Sequence, residues 1–426
     1  MLTLLMTSSG FAQSPQGEGL EAAWTIALSD DPLIQASRSE VEAAETDVLV
    51  AKAGRLPTVS ASAGVTRFDE APTFDFSGAG VPAVLPLFGG ETMKMADARV
   101  MLPLYTGGQV NNGIDAAESM RDVRRSQLAA SEQDIKLAVA RHYIDVLRAE
   151  SALAVADSNV TSLAAHVRDV DDMFKSGAIA RNDYLAAAVS LADAEQRRLQ
   201  ARNRLDLARA AYNRTLARPL DSAVNLHAEL PGIDPELDSA SLAQLTSVAM
   251  QSRLELAGLE AAADALQYQS RSALASARPQ LGLTGGYMAL QNDFLNRDEF
   301  WMVGVGVNWT LFDGGQARKK ASALSLKAKA LRQQQENVRS HVKLQVRQAW
   351  LRLQETRERK RLTERAVEQA EENLRVVRDR YRNGEGTNTE VLDAEVLRSQ
   401  SRSNYDNADF DAKLALYEIA RGVGRL

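Results

Sequence analysis

The sequence has no cysteine, and of its 426 residues only 11 are proline and 5% aromatic. Without cysteine there can be no disulfide, thiolate metal site or thiol nucleophile. Only four histidines are present, His142, His166, His227 and His341. None stands at a metal-ligand spacing from another, and each reads as a surface or packing residue. No apolar stretch approaches the ~18 residues that a spanning helix needs, and mean hydropathy is −0.27. A membrane β-barrel stays open, because its alternating strands give a far weaker signal. The net charge of −6 comes with no basic block interleaved with aromatics, so nucleic acid is not expected as a partner. The glycine-rich GLTGGY at residues 282–287 falls within a strand pattern rather than before a helix, which argues against a phosphate loop. No catalytic set or metal site emerges, and neither an enzyme nor a cofactor is expected.

What is present is a duplication. LYTGGQ at residues 104–109 returns as LFDGGQ at 311–316, a shift of 207 residues from Gly107 to Gly314. The same shift carries Leu137 onto Leu344, Tyr143 onto Trp350, Phe174 onto Tyr381, Gly177 onto Gly384 and Leu185 onto Leu392. Upstream the shift is 222, from Pro57 to Pro279, so an extra 15 residues lie between Pro57 and Gly107. A period this long marks a duplicated domain rather than a solenoid. The organisation expected is a residual signal peptide at 1–12, a first repeat at 13–218, a linker at 219–240 and a second repeat at 241–426. The signal reading rests on the short apolar run at 1–6 and the small residues Gly10 and Ala12 before Gln13. With no cysteine following, no lipid anchor is expected there.

Each repeat reads helix, strand, loop, strand, long helix, return helix. In the first, helical spacing over 20–52 ends at Pro57, and Val59, Ala61, Ala63 and Val65 then alternate with small polar residues. A proline- and glycine-rich loop follows at 69–91, with Ser77 near its middle. It is expected to face outward, opposite a shorter turn at 292–298. The next strand runs to about Tyr105, with a phase slip near Met95 and Ala96 expected to be a bulge. Gly107 and Gly108 mark the switch to a helix running to Phe174, about 100 Å at 1.5 Å per residue. Gly314 and Gly315 mark the same junction in the second repeat. So long a helix implies a coiled-coil or tubular structure. Single helices are expected over 241–277 and, after the tip glycines, over 182–216 and up to Arg421. The strand from Trp301 to Leu311 places bulky apolar residues on one face and glycine or polar residues on the other. Trp301 and Trp309 stand about 26 Å apart along it, the pattern of a lipid-facing strand with an aromatic girdle. Four strands per chain cannot close a barrel in lipid, where an open edge leaves backbone groups unpaired.

Beyond this pattern, the chain resembles the TolC-like outer membrane efflux proteins from about Leu20 to Leu426. The resemblance is carried by LEAAWTIALSDDP, by RLP and RPQ at the strand starts, by LPLYTGGQ and LFDGGQ, by YNRTLARPL, and by YRNGEGTNTEVLDAE. It implies a homotrimer whose twelve strands form one membrane β-barrel continuing into a coiled-coil α-helical tube. It also implies a passive exit duct in the outer membrane, extending into the periplasm of a Gram-negative bacterium and serving a tripartite efflux pump or type I secretion system. The implied partners are outer membrane lipid, a periplasmic adaptor of the membrane fusion type, and an inner-membrane pump of RND, ABC or MFS type. The hairpin tips Gly177, Ala178, Gly384 and Glu385 are where the adaptor would dock. Asp183, Tyr381, Glu390 and Asp393 match the family's gate and constriction, whose closure is expected to rest on Tyr381 hydrogen bonding and helix packing. An arginine that the family's type member carries two residues after the second tip glycine is Gly386 here. Two other classes remain open: a structural coiled-coil protein without a channel, and an export-complex scaffold with a small barrel in water.

Overall fold

The computed structural model describes residues 17–75, 78, 84–86, 90–291 and 296–426. Residues 1–12 of the expected signal, Ser77, and residues 292–295 of the expected short turn lie outside them. In the first repeat the elements are α1 (Leu20–Asp30), α2 (Pro32–Ala53), β1 (Thr58–Arg67), β2 (Thr73–Asp75), β3 (Val84–Pro86), β4 (Thr92–Tyr105), α3 (Gln109–Lys175) and α4 (Arg181–Thr215). After a short α5 (Pro235–Ser239), the second repeat gives α6 (Leu242–Ser252), α7 (Leu254–Ala275), β5 (Gln280–Leu290), β6 (Glu299–Asn308), α8 (Gln316–Arg382) and α9 (Asn388–Gly422). The long helices α3 and α8 both have 67 residues. The return helices α4 and α9 both have 35. β2 and β3 form a separate two-stranded sheet inside the longer first loop.

The spans expected as one helix, 20–52 and 241–277, are each broken once. Asp31 takes an extended conformation, and its carboxylate accepts from the N–H groups of Leu33 and Ile34, capping α2 ahead of Pro32. The repeat-related Arg253 is extended too, but for a tertiary reason. Its guanidinium donates to the carbonyls of Arg421 and Gly422 at the C-terminal end of α9 and to Gln345.

β1, β4, β5 and β6 form one antiparallel sheet in that order. Its register joins the separate alternations into continuous faces. Ala61 stands opposite Ala98, Ala98 opposite Tyr287, and Tyr287 opposite Trp301. Val59, Val100, Gly285 and Val303 form the next row. This face is apolar and open: Trp301 is 84% exposed and Val303 83%. The other face carries Ser60, Ser62, Asp97, Arg99, Thr284, Gly304 and Gly306. The register corrects two expectations. Pairing of β1 with β4 is unbroken through Met95 and Ala96, and the irregularity lies instead between Pro103 and Tyr105 against β5. β6 ends at Asn308, so Trp309 lies past the strand, its indole donating to the Ala277 carbonyl at 3.2 Å.

The chain condenses into two units, each drawing on both repeats. Among the described residues, one holds 17–38 with 127–256 and 337–426; the other holds those of 39–126 and 257–336. The largest core of the first unit centres on Tyr143 and Tyr212, edge to face at 5.9 Å, with Leu20, Ile144, Val146 and Leu216 around them. Each such side chain contributes about 1.5–3 kcal/mol on burial. The Tyr143 hydroxyl lies 2.8 Å from the carbonyls of Glu18 and His227, and burial pushes its pKa up to about 12. The Glu18 carboxylate accepts from Tyr212 and pairs with Arg218. The linker is thereby stitched to the first described residues. The second unit contains the four-stranded sheet.

Candidate functional site

The hairpin ends are built by two matching turns. Gly177 closes α3 at φ 74° and Gly384 closes α8 at φ 77°. In each, the N–H one residue later reaches back five residues: Ala178 to the Met173 carbonyl at 2.9 Å, and Glu385 to Arg380 at 2.8 Å. This helix ending needs a left-handed residue, and glycine adopts that conformation without a Cβ penalty. Gly177, Ala178, Gly384 and Glu385 are all exposed.

The following helices start differently. α9 opens with a reciprocal cap: the Glu390 N–H donates to Thr387 Oγ1 at 3.3 Å, and the Thr387 N–H donates to Glu390 Oε2 at 3.2 Å. α4 follows Ala180 and has no side-chain cap. At Gly386 an added Cβ would stand 3.2 Å from Glu390 Oε2 and 3.2 Å from the Tyr381 nitrogen, so that cap presses directly on the glycine.

The four candidate gate residues are distributed unevenly. Asp183 is partly exposed in the first turn of α4. Glu390 is exposed, with one carboxylate oxygen engaged in the α9 cap, and Asp393 is exposed one turn on along the same face. Tyr381 is 6% exposed, packed with Val170, Ala187, Leu374, Val391 and Ala394. Burial raises its pKa, and the charges of Asp183 and Asp169 add to the rise. Its hydroxyl makes no hydrogen bond among the described residues. Within one chain, then, Tyr381 contributes by packing, and the expected hydrogen bond is not made.

The side-chain bonds that do cross between the hairpins come from residues other than the gate candidates, although Asn388 and Glu395 stand within the YRNGEGTNTEVLDAE segment. His166 on α3 lies with Nε2 2.8 Å from Asn388 Oδ1, and Asn388 Nδ2 donates to the Asp183 carbonyl at 3.0 Å. Beside them Glu395, 1% exposed, accepts from Ser162 at 2.8 Å, pairs with Arg378, and has Arg398 at 3.3 Å. Glu395 is thus a buried carboxylate held by two partly exposed guanidinium groups, and removing either leaves its charge less well compensated. One signal was present in the sequence: Ser162 and His166 are four apart on α3, and Asn388 and Glu395 seven apart on α9. Each pair therefore shares a helix face.

At the strand-to-helix junctions, paired left-handed glycines recur. Gly107 and Gly108 have φ 63° and 93°, Gly314 and Gly315 65° and 81°. A capping residue precedes each pair. Thr106 Oγ1 accepts from the Val110 N–H, and Asp313 accepts from the N–H groups of Gly315 and Ala317. The repeated GGQ is thus a structural turn with its own cap.

Comparison with known proteins agrees with this architecture. The family model described as outer membrane efflux protein matches residues 25–217 and 245–425. Outer membrane efflux protein BepC of Brucella suis biovar 1 is 22% identical over 421 residues, 97% of this chain and 87% of BepC. Outer membrane protein TolC of Vibrio cholerae is 22% identical over 419 residues, 96% of this chain and 91% of TolC. Among solved structures, the outer membrane protein VceC of Vibrio cholerae shares the fold with a TM-score of 0.78 at 17% identity, covering 95% of this chain and 96% of VceC. Matched in both repeats by one family model, the chain belongs to the outer membrane efflux protein family, a family of channel proteins.

Proposed function

We propose that three copies of this chain close one twelve-stranded barrel and form the exit duct of a tripartite pump. One observation carries this reading: a four-stranded sheet with an exposed apolar face, whose outer strands β1 and β6 each pair on one side only among the described residues. An open sheet edge is not tolerated in lipid. With an even number of antiparallel strands per chain, β6 of one copy meets β1 of the next antiparallel, so the ring closes without a conflict of strand direction. The exposed tips Gly177, Ala178, Gly384 and Glu385 are the surface a periplasmic adaptor would grip, with an inner-membrane transporter behind it. Trp301 and Trp309 would sit at the lipid boundary.

The gate in this reading is the ring of hairpin ends. Three copies would bring Asp183, Glu390 and Asp393 around one axis. Like charges 4 Å apart repel by about 4 kcal/mol at an effective dielectric near 20, so such a ring would hold cations. Planar-bilayer recordings test this. Tyr381→Ala with Asp183→Ala, which removes the packed ring and the acid, should raise single-channel conductance. Glu390→Ala with Asp393→Ala should abolish block by multivalent cations added on the periplasmic side. Pores unchanged by both pairs would place the constriction elsewhere, and the absence of any pore would favour an export scaffold over a channel.

A further inference from the structure

We propose that His166, neutral in its buried seat, is the bolt tying the two hairpins of one protomer together at the gate, and that the cost of keeping a charged ring buried there lets acid release it. This rests on reading the hairpin ends as the gate. His166 belongs to the first hairpin and is 4% exposed. Asn388 begins the return helix of the second and is equally buried. The orientation of the Asn388 amide is fixed by its other bond: Nδ2 donates to the Asp183 carbonyl, so Oδ1 faces the ring. An acceptor at 2.8 Å requires the proton on Nε2. One amide thus joins α3 to α9 and α9 to α4.

Every helix around the ring presents a charged or titratable group. α3 itself brings Asp169, paired with Arg382 at 3.0 Å. α4 brings Asp183 and Tyr184, α8 brings Arg378 and Tyr381, and α9 brings Glu395, already held by Arg378 and Arg398. Burial is the largest influence on the ring and disfavours its charged form. The bond to Asn388 favours that form, Arg378 opposes it, and Glu395 and Asp169 favour it. The balance lies below the ordinary imidazole value. A hydrated, released imidazole binds its proton near pH 6.5, and the latched ring binds it only at lower pH. Above about pH 6.5 the bolt therefore keeps its full stability. As pH falls toward the lowered value, the released state binds more protons and the latched state loses its advantage.

The chain has no native cysteine, so Ala178→Cys and Glu385→Cys provide unique sites for spin labels on the two tips. Pulsed EPR on the assembled protein, with labelled chains diluted by unlabelled ones, would be read at about pH 7.5 and about pH 5.5, either side of the ordinary imidazole value. The population of longer tip-to-tip distances should grow on acidification, by at most about tenfold between these two pH values, because the released ring gains only one decade of protonation below pH 6.5. His166→Gln keeps a donor toward Asn388 but does not titrate, and should remove the pH response. Asn388→Asp sets a carboxylate against the ring and should turn acid release into acid tightening. A pH-independent distance in the unaltered chain, or a response that survives His166→Gln, overturns the proposal. Acid release by EPR with unaltered conductance upholds the bolt and instead overturns the gate reading on which it rests.

Discussion

A methyl group at Gly107 would meet the Arg278 Cβ at 2.8 Å and the Ala275 carbonyl at 3.0 Å, on a backbone held at φ 63°. Its repeat partner Gly314 has the same conformation, φ 65°, but nothing within 4 Å of the added atom. Gly314→Ala should therefore cost only the backbone term, about 1 kcal/mol. Gly107→Ala adds a steric term and should cost about 2–4 kcal/mol. Thermal unfolding of the assembled protein in detergent should show a clearly lower midpoint for Gly107→Ala. Equal midpoints would mean that Arg278 yields freely. The sequence marked both glycines through the duplication but could not separate them, because the clash depends on a residue 171 positions away. The hairpin ends show the same limit. Tyr381 and the acids were picked out only by matching a family pattern, whereas the His166–Asn388 bond, spanning 222 residues, depends on helix faces that meet only after folding.

Among elements, the strands allow a paired test. Val305 lies on the apolar face and Gly304 on the other. A cation on a lipid face near the bilayer midplane costs about 2–4 kcal/mol. Val305→Arg should sharply reduce the yield of heat-modifiable outer membrane protein, and Gly304→Ser should leave it near the unaltered level. Equal tolerance at both positions would mean that this face does not meet lipid. Alternation alone revealed these faces in β1 and β6. In β4 the methionines at 93, 95 and 101 share a face with Asp97 and Arg99, which blurs the pattern where the register is unbroken. The helix breaks at Asp31 and Arg253 divide in the same way. The first has a local cause in the cap before Pro32, which sequence can show; the second exists because Arg253 reaches α9.

For the whole molecule, duplication gave the order of elements almost residue for residue, since the paired long helices and the paired return helices agree in length. The proposed assembly rests on what one chain leaves unfinished among the described residues: an apolar sheet face, two strand edges and exposed apolar residues such as Leu185, Val189, Leu199 and Leu207 along α4. Native mass spectrometry of the detergent-extracted protein tests that assembly. Three copies in the intact particle, with all of the β-structure present by circular dichroism, is the expected result. A stable monomer or dimer retaining all of that β-structure would contradict the shared barrel and, with it, the duct.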